Sequence, residues 1–146
     1  MSKPDTFEAD WLKLICNPTA IANIADNAAS APITNIYVSL HTADPGETGT
    51  QATSETAYTG YARVAVARTT GGWTVSGSAP TQVSPVANID FAECTASPGG
   101  AITHFGVGTS SGGAGKLLYS GTVTPNVTMA VGVLPRLKTT STITED

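Results

Sequence analysis

Short segments in which apolar and polar residues alternate, separated by turn sequences, fill the chain from Ile33 onward. In one of them Ile36, Val38 and Leu40 occupy every second position, which is the period of a strand with one buried face. Comparable segments lie at 61–68, 73–75, 83–91, 102–109, 117–123 and 127–133. Many short strands with regular turn signals are typical of sandwiches and barrels. The sequence therefore predicts a mainly β fold, a single antiparallel β-sandwich or barrel of about seven to eight strands.

Two of these segments carry more specific expectations. Pro85 interrupts the segment 83–91, and since proline cannot donate to a ladder, we expect that strand at a sheet edge. The segment 127–133 has the most regular alternation in the chain and predicts a strand.

The first thirty residues have a helical pattern instead. Apolar residues recur there at a spacing of three to four, and Asn17-Pro18 ends the first helical piece before a second, alanine-rich one. Both pieces are short, so their stability must come from packing onto other structure. We therefore predict a helical arm at 1–32, a β-sandwich domain at 33–137 and a polar C-terminal tail at 138–146.

The composition favours a folded chain that packs against neighbours. Charged residues make up 12% of the 146 residues, about half the usual share. A weakly charged surface can be buried against a partner without stripping water from many ions. Nucleic acid is not an expected partner, because the net charge is −4 and the seven lysines and arginines are scattered along the chain.

Two cysteines, Cys16 and Cys94, have neither metal-binding spacing nor a disulfide framework, and we expect both to be reduced and buried. Neither a signal peptide nor a membrane span is expected, because no basic start leads into an apolar run and no apolar stretch approaches roughly 18 residues. We expect the protein to be made and kept in the cytoplasm until it is assembled into a larger structure.

Candidate metal and triad residues are few. His41, Asp44 and Glu47 are the nearest approach to a metal cluster, but Pro45-Gly46 forces a turn between the two acids, and we interpret the segment as a strand end with Asp44 capping a solvated turn. His104 is the second of two histidines, and its mid-strand position favours a packing or interface role over a triad.

Other catalytic patterns are also weak. Asp90 and Glu93 are three apart near a strand end, where we interpret them as solvated carboxylates and not a glycosidase pair. The glycine-rich segment 106–115 lacks the lysine of a phosphate loop and predicts a hairpin turn. We therefore predict no catalytic residue, no metal and no cofactor.

Four motifs resemble a known family. They are IYVSLHTADPGE at 36–47, GYAR at 60–63, ITHFGV at 102–107 and GKLLYSG at 115–121. Their order over about 33–133 is similar to that of small tailed-phage virion proteins commonly labelled tail or tail-fibre proteins. The resemblance implies a non-enzymatic structural component of the virion.

Within the virion we first expect a capsid decoration (cement) protein that stabilises the shell. The chain carries no coiled coil and no repetitive β-helix, and a compact domain with a terminal arm suits a shell-binding role. The alternative is a tail, baseplate or tail-fibre-associated protein involved in host attachment. Expected partners are the major capsid protein or tail subunits and further copies of the chain, with a trimer as one arrangement; no membrane partner is expected.

Interface residues are predicted from apolar and aromatic positions in the arm, beside the polar loop at 42–60, in one strand and in the tail. Aromatic residues often carry the binding energy of interfaces, but a core position on a helix or strand face suits Trp11 and Trp73 better. For Tyr58 and Tyr61, which flank the loop, the core and the interface are both open. Whether the loop at 42–60 binds a host molecule is open. The candidates are Phe7, Trp11, Leu14, Ile15, Tyr58, Tyr61, His104 and Ile143.

Overall fold

The computed structural model describes residues 5–21, 32–78 and 80–145. Within this part of the chain it contains one helix and nine strands, so the prediction of a mainly β fold with a short N-terminal helix is confirmed. None of the described helical structure is long and apolar enough to cross a membrane. The elements are α1 Asp5–Cys16, β1 Asn35–His41, β2 Val64–Ala67, β3 Trp73–Ser76, β4 Thr81–Pro85, β5 Ile89–Asp90, β6 Ile102–Gly108, β7 Leu117–Val127, β8 Arg136–Leu137 and β9 Ile143–Glu145.

The strands form open sheets. One has the order β2-β1-β6-β7, a second has β3-β4-β9, and a third pairs β5 with β8. The pairs β1–β6, β6–β7, β3–β4 and β4–β9 are antiparallel. The described strands close no barrel. Of the two predicted architectures, sandwich and barrel, the sandwich fits.

The chain divides into two compact units. The helical unit comprises Met1–Asn35, Ala67–Ile89 and Leu137–Asp146, and the loop unit comprises Ile36–Val66 and Asp90–Arg136. The predicted division into arm, sandwich and tail concerns docking to other subunits, and it stays a prediction.

In the helical unit, α1 packs against β3 and β4. Leu12 and Cys16 are buried on its inner face. The Arg68 guanidinium donates from Nε to the Ile15 carbonyl at 2.5 Å and also donates to the carbonyl of Leu14. These carbonyls lack partners within the helix, so a cation there stabilises its C-terminal end. Of the predicted second helical piece, only residues up to Ile21 and from Pro32 are described.

Both cysteines are free and buried, as predicted. Burial raises the pKa of the Cys16 thiol to about 12, which keeps it protonated and unreactive at neutral pH. The Cys94 thiol donates to the carbonyl of Ala96 at 3.0 Å. Both therefore behave as small core residues.

Pro85 does not mark an edge strand, because β4 lies between β3 and β9. Its position explains why it is tolerated. β9 pairs only with the part of β4 from Thr81 to Val83, so Pro85 faces β3 alone, opposite Trp73. The prediction of an edge strand was therefore wrong for β4 as a whole. Its last residue, Pro85, nevertheless has a neighbouring strand on one side alone.

The strand predicted at 127–133 is wrong beyond its first residue. β7 ends at Val127, and the following residues form a turn in which Val133 N–H donates to the Ala130 carbonyl at 3.1 Å. Gly132 has a φ of +89° there, and its N–H donates to the Cys94 carbonyl at 2.8 Å. The positive φ of Gly132 and the turn from Ala130 to Val133 are incompatible with an extended strand, whatever the side-chain pattern.

Candidate functional site

The four motifs that carry the family resemblance all lie in the loop unit. Strand β1 provides its apolar face through Ile36, Val38 and Leu40, which are buried as the alternation predicts. Ser39 and His41, on the opposite face, are nevertheless also fully buried. The strand is therefore covered on both faces, and the prediction of a half-buried strand was wrong.

The loop at 42–56 covers the face of β1 that carries Ser39 and His41. It leaves β1 after His41 and returns, since Thr42 N–H donates to the Ser54 carbonyl at 2.8 Å and Thr56 N–H donates to the Leu40 carbonyl at 2.9 Å. His41 and Glu55 form an isolated antiparallel bridge at the same place. The polar composition of this loop is typical of a solvated segment, but the backbone on its inner side is hydrogen-bonded to β1.

An ion pair between Glu55 and Arg63 anchors the returning end of this loop. Arg63 Nε donates to Glu55 Oε1 at 2.7 Å, and Nη2 donates to Oε2 at 2.7 Å. The pair is bidentate, which is the strongest geometry for these two groups. The Arg63 side chain is only 2% exposed, and its hydrogen bonds to Glu55 raise its pKa further, so it stays charged.

The same guanidinium also binds the turn at 109–116, between β6 and β7. Nη1 donates to the Ser110 carbonyl at 2.9 Å, and Nη2 donates to the Gly113 carbonyl at 2.7 Å. Tyr61 completes the network, because its hydroxyl donates to Glu55 at 2.7 Å and accepts from Leu40 N–H at 3.1 Å. The GYAR motif thus provides the two side chains that join the loop at 42–56 to β1 and to the turn.

Gln51 makes a second connection between this loop and the turn. Its side chain donates to the Tyr37 carbonyl at 3.2 Å and accepts from Ser110 N–H at 2.9 Å. Its backbone N–H donates to the Gly115 carbonyl at 2.9 Å. Gln51 is fully buried with these groups satisfied, so buried hydrogen bonds join the loop at 42–56 to the turn at 109–116.

Two glycines of β6 make room for this cluster. A Cβ on Gly106 would lie 2.6 Å from His41 Nε2 and 2.7 Å from Ser39 Oγ. A Cβ on Gly108 would lie 2.2 Å from Gln51 Cδ. Gly106 of the ITHFGV motif and Gly108, which directly follows the motif, are therefore required for packing on this face of the sheet.

Ser39, His41 and the Thr53 carbonyl are connected by hydrogen bonds in that order. The Ser39–His41 pair resembles the serine–histidine pair of a hydrolase. His41 Nδ1 lies 2.8 Å from the Thr53 carbonyl, which can only accept, so this nitrogen carries the proton. Nε2 then accepts from the Ser39 hydroxyl at 2.9 Å. Both side chains are fully buried, so the chain of bonds orders the loop and offers no surface to a substrate.

Burial lowers the pKa of His41 below its ordinary value of 6.5. The hydrogen bond to Thr53 and the nearby Glu55 oppose this change, while Arg63 and His104 add to it. The neutral ring is therefore the form that the folded protein accommodates.

We expect the folded protein to lose stability as the pH falls below about 6.5. The unfolded chain takes up the proton first, because its histidine has the higher pKa, so acid favours unfolding until the folded pKa is also passed. Urea titrations between about pH 7.5 and about pH 5, above the range in which most carboxylates titrate, measure the effect. His41→Gln should remove the decline, whereas His104→Gln should retain it; an unchanged slope in His41→Gln would contradict the assignment.

The other chemical candidates do not assemble into a site. Asp44 caps its turn as predicted, accepting from Gly46 N–H at 2.9 Å, and His41 points away into the cluster described above. Asp90 pairs with Arg136, whose Nη2 lies 3.0 Å from Oδ2. In the described ranges no three histidine, cysteine or acidic side chains are grouped to hold a metal ion.

Comparison with known families adds one decisive match. The family model described as podophage GP4 fiber I protein gp80 matches residues 16–144, which is most of the chain. The chain belongs to this family of phage fibre proteins. No curated protein sequence matches it.

The match confirms the relation to tailed-phage virion proteins and the description of the chain as a phage structural protein. It gives no support to the expected capsid decoration role. A fibre family fits the predicted alternative, a tail or tail-fibre-associated protein, better.

The interface residues predicted in this fibre protein lie in separate places. On α1, Phe7 and Trp11 are 38% and 39% exposed, and Leu14 and Ile15 are half-buried. Ile143 is half-buried on β9, and His104 is half-buried on β6, with Nδ1 2.8 Å from Thr103 Oγ1. Their role at an interface stays a prediction.

Tyr58 and Tyr61 are the two candidates that the structure brings together, with ring centroids 5.4 Å apart. Tyr58 is buried and its hydroxyl donates to the Ala92 carbonyl at 2.8 Å. Tyr61 stacks on Phe91 and binds Glu55. Tyr58 is only 2% exposed, whereas Tyr61 is half-buried, and their role at an interface stays a prediction.

Proposed function

We propose that this chain is a non-enzymatic structural component of the podophage fibre, or of the tail region that carries it. The observation that carries the proposal is the fibre-family match over residues 16–144. A fibre is built from repeated subunit contacts, so its proteins need rigid surfaces more than reactive groups. Partners would be tail or fibre subunits and further copies of the chain.

The polar cluster of the loop unit supports a structural role. Its ionisable and nucleophilic groups are bonded to one another. Ser39, His41 and Arg63 are buried, and the Glu55 side chain is only 17% exposed. A catalytic group must reach its substrate, whereas these groups contact the loops of their own chain. Their effect is to fix the loop at 42–56 and the turn at 109–116.

The outer side of these fixed loops suits attachment. Its exposed residues are mostly small, including Thr48, Ala52, Ser54, Ser111 and Gly112. A rigid surface of this kind loses little conformational entropy on docking. The exposed α1 residues Phe7 and Trp11 would provide a second, apolar contact with neighbouring subunits.

Locating the protein in purified particles tests the proposal. Antibody labelling with electron microscopy should mark the tail or its fibres, and the copy number relative to the major capsid protein should be small. Particles that lack the protein should contain full heads of normal heat resistance and should attach poorly to the host. Label spread over the shell, together with heads that burst more easily on heating, would instead establish capsid decoration.

A further inference from the structure

A cavity of about 400 Å³ lies beside the C-terminal end of α1 in the helical unit. Its volume is within the range of protein sites that hold small molecules. One described wall is the end of the helix, and the other is the segment that leads from the turn after β2 into β3. The lining includes six side chains that carry a hydrogen-bonding group, which are Lys13, Asn17, Thr19, Thr70, Trp73 and Thr74.

Hydrogen bonds join the two walls of this cavity. The backbone N–H groups of Asn17 and Thr19 donate to the Lys13 carbonyl at 2.9 and 3.1 Å, which holds the residues after the helix against its last turn. In the orientation that satisfies its neighbours, the Asn17 amide nitrogen donates to the carbonyls of Thr69 and Trp73 at 3.2 Å each. The cavity is therefore formed by connected segments, as is usual for small-molecule sites.

The Trp73 indole is a buried donor without a partner. Trp73 is only 2% exposed, and its Nε1–H has no hydrogen-bond acceptor in the described part of the chain. A buried polar group that lacks a partner costs about 1–3 kcal/mol, and nearly all such groups in native proteins are satisfied. A ligand that brings an oxygen atom to this side chain would supply the acceptor.

Lys13 provides a positive charge at the same cavity. It is half-buried and belongs to neither of the ion pairs in the described part of the chain. The end of α1 does not depend on it, because Arg68 already donates to the carbonyls of Leu14 and Ile15. A lysine in this setting favours an anionic acceptor, for which it forms a charge-assisted hydrogen bond.

We infer that this cavity binds a small hydroxylated carboxylate, of the size of a sugar acid. The carboxylate accepts from the Lys13 ammonium and from Trp73 Nε1–H, which small rotations of the surrounding side chains open to the cavity. Hydroxyl groups of the ligand exchange hydrogen bonds with the exposed Thr19, Thr70 and Thr74. A carboxylate suits the single lysine better than a phosphate group, whose charge at neutral pH is about −1.5 to −2.

NMR spectroscopy of the ¹⁵N-labelled full-length protein tests the binding. The chain has two tryptophans, so two indole N–H signals are expected, and Trp11→Phe assigns them. Glucuronate, added at constant pH and ionic strength, should shift the Trp73 signal in a saturable manner. The Trp11 signal should stay in place, because Trp11 is outside the described lining. Acetate and glucose each carry half of the ligand's chemistry and should bind at least about tenfold more weakly.

The methyl glycoside of glucuronate separates two sources of such a ligand. Equally tight binding of the glycoside supports the end of a glycan chain, whereas weaker binding supports the free acid. Both results are properties of the purified chain and do not rest on the proposed fibre role, which is tested on particles.

A pair of lysine variants tests the role of the charge. Lys13→Gln should weaken glucuronate binding at least about tenfold, because it removes the cation that the carboxylate contacts. Lys138→Gln removes the same charge from an exposed position outside the described lining and should leave binding unchanged. Circular dichroism of both variants establishes that they fold.

Three results would overturn the inference. The first is a Trp73 signal that does not move at the highest glucuronate concentration. The second is a shift that acetate or glucose produces at the same concentrations as glucuronate. The third is glucuronate binding that Lys13→Gln leaves intact.

Discussion

Replacing Arg63 with alanine is expected to lower the free energy of unfolding by about 3–5 kcal/mol, because the change removes one partner of a buried ion pair. The Glu55 carboxylate, only 17% exposed, would lose both of its bonds to the guanidinium. The carbonyls of Ser110 and Gly113 would lose their donors in the same step. Urea unfolding at neutral pH measures the difference.

The chain offers a matched control for this substitution. Arg136 forms a similar pair with Asp90, but the two side chains are 53% and 51% exposed. Exposed pairs are screened by water and stabilise proteins little, so Arg136→Ala should change stability far less than Arg63→Ala. Equal losses in the two variants would show that the burial of the Arg63 pair has no energetic consequence.

A double variant separates the ion pair from simple packing. Glu55→Leu alone leaves Arg63 buried without its carboxylate and should also be strongly destabilising. Combining Glu55→Leu with Arg63→Leu removes both charges, and we expect the double variant to lose less stability than the two single variants added together. Additive losses would mean that the two residues act independently.

The sequence is sufficient to predict the fold class and the apolar face of β1. Apolar residues at every second position indicate which face of a strand is buried, and Ile36, Val38 and Leu40 are buried as this rule predicts. The same rule fails for Ser39 and His41, because a polar residue is also buried when a later loop covers it with hydrogen-bond partners. That loop returns from more than ten residues away, which no local pattern reports.

The polar cluster is only partly visible in the sequence. GYAR draws attention to Arg63, yet nothing local identifies Glu55 as its partner, since the pairing depends on where the loop at 42–56 returns. One usable signal is present in β6. Gly106 and Gly108 are two residues apart in a strand, which predicts a sheet face that something approaches closely.

The strand predicted at 127–133 fails for a related reason. Its alternation is genuine, but Gly132 adopts a left-handed conformation and binds residue 94, and this contact takes precedence over strand propensity. Side-chain periodicity predicts burial on one face only when the backbone is extended. In this turn Met129 is buried, but Val131 is 64% exposed.

Gly108→Ala should be the other strongly destabilising change, with an expected loss of about 3 kcal/mol in the free energy of unfolding. The added Cβ would lie 2.2 Å from Gln51 Cδ and 2.5 Å from the Lys116 carbonyl oxygen. The backbone oxygen belongs to the β6–β7 connection and has little room to move. Displacing Gln51 would also leave Ser110 N–H and the Tyr37 carbonyl without their hydrogen bonds.

Gly112→Ala separates this packing effect from the general effect of replacing a glycine. Gly112 lies in the turn at 109–116, and a Cβ there would meet nothing within 4 Å. Its variant should therefore unfold within about 0.5 kcal/mol of the unmodified protein in the same urea titration. If Gly108→Ala were equally benign, Gln51 and the turn would have to shift freely, and the hydrogen bonds between the two loops would not hold them in place as the proposed fibre role requires.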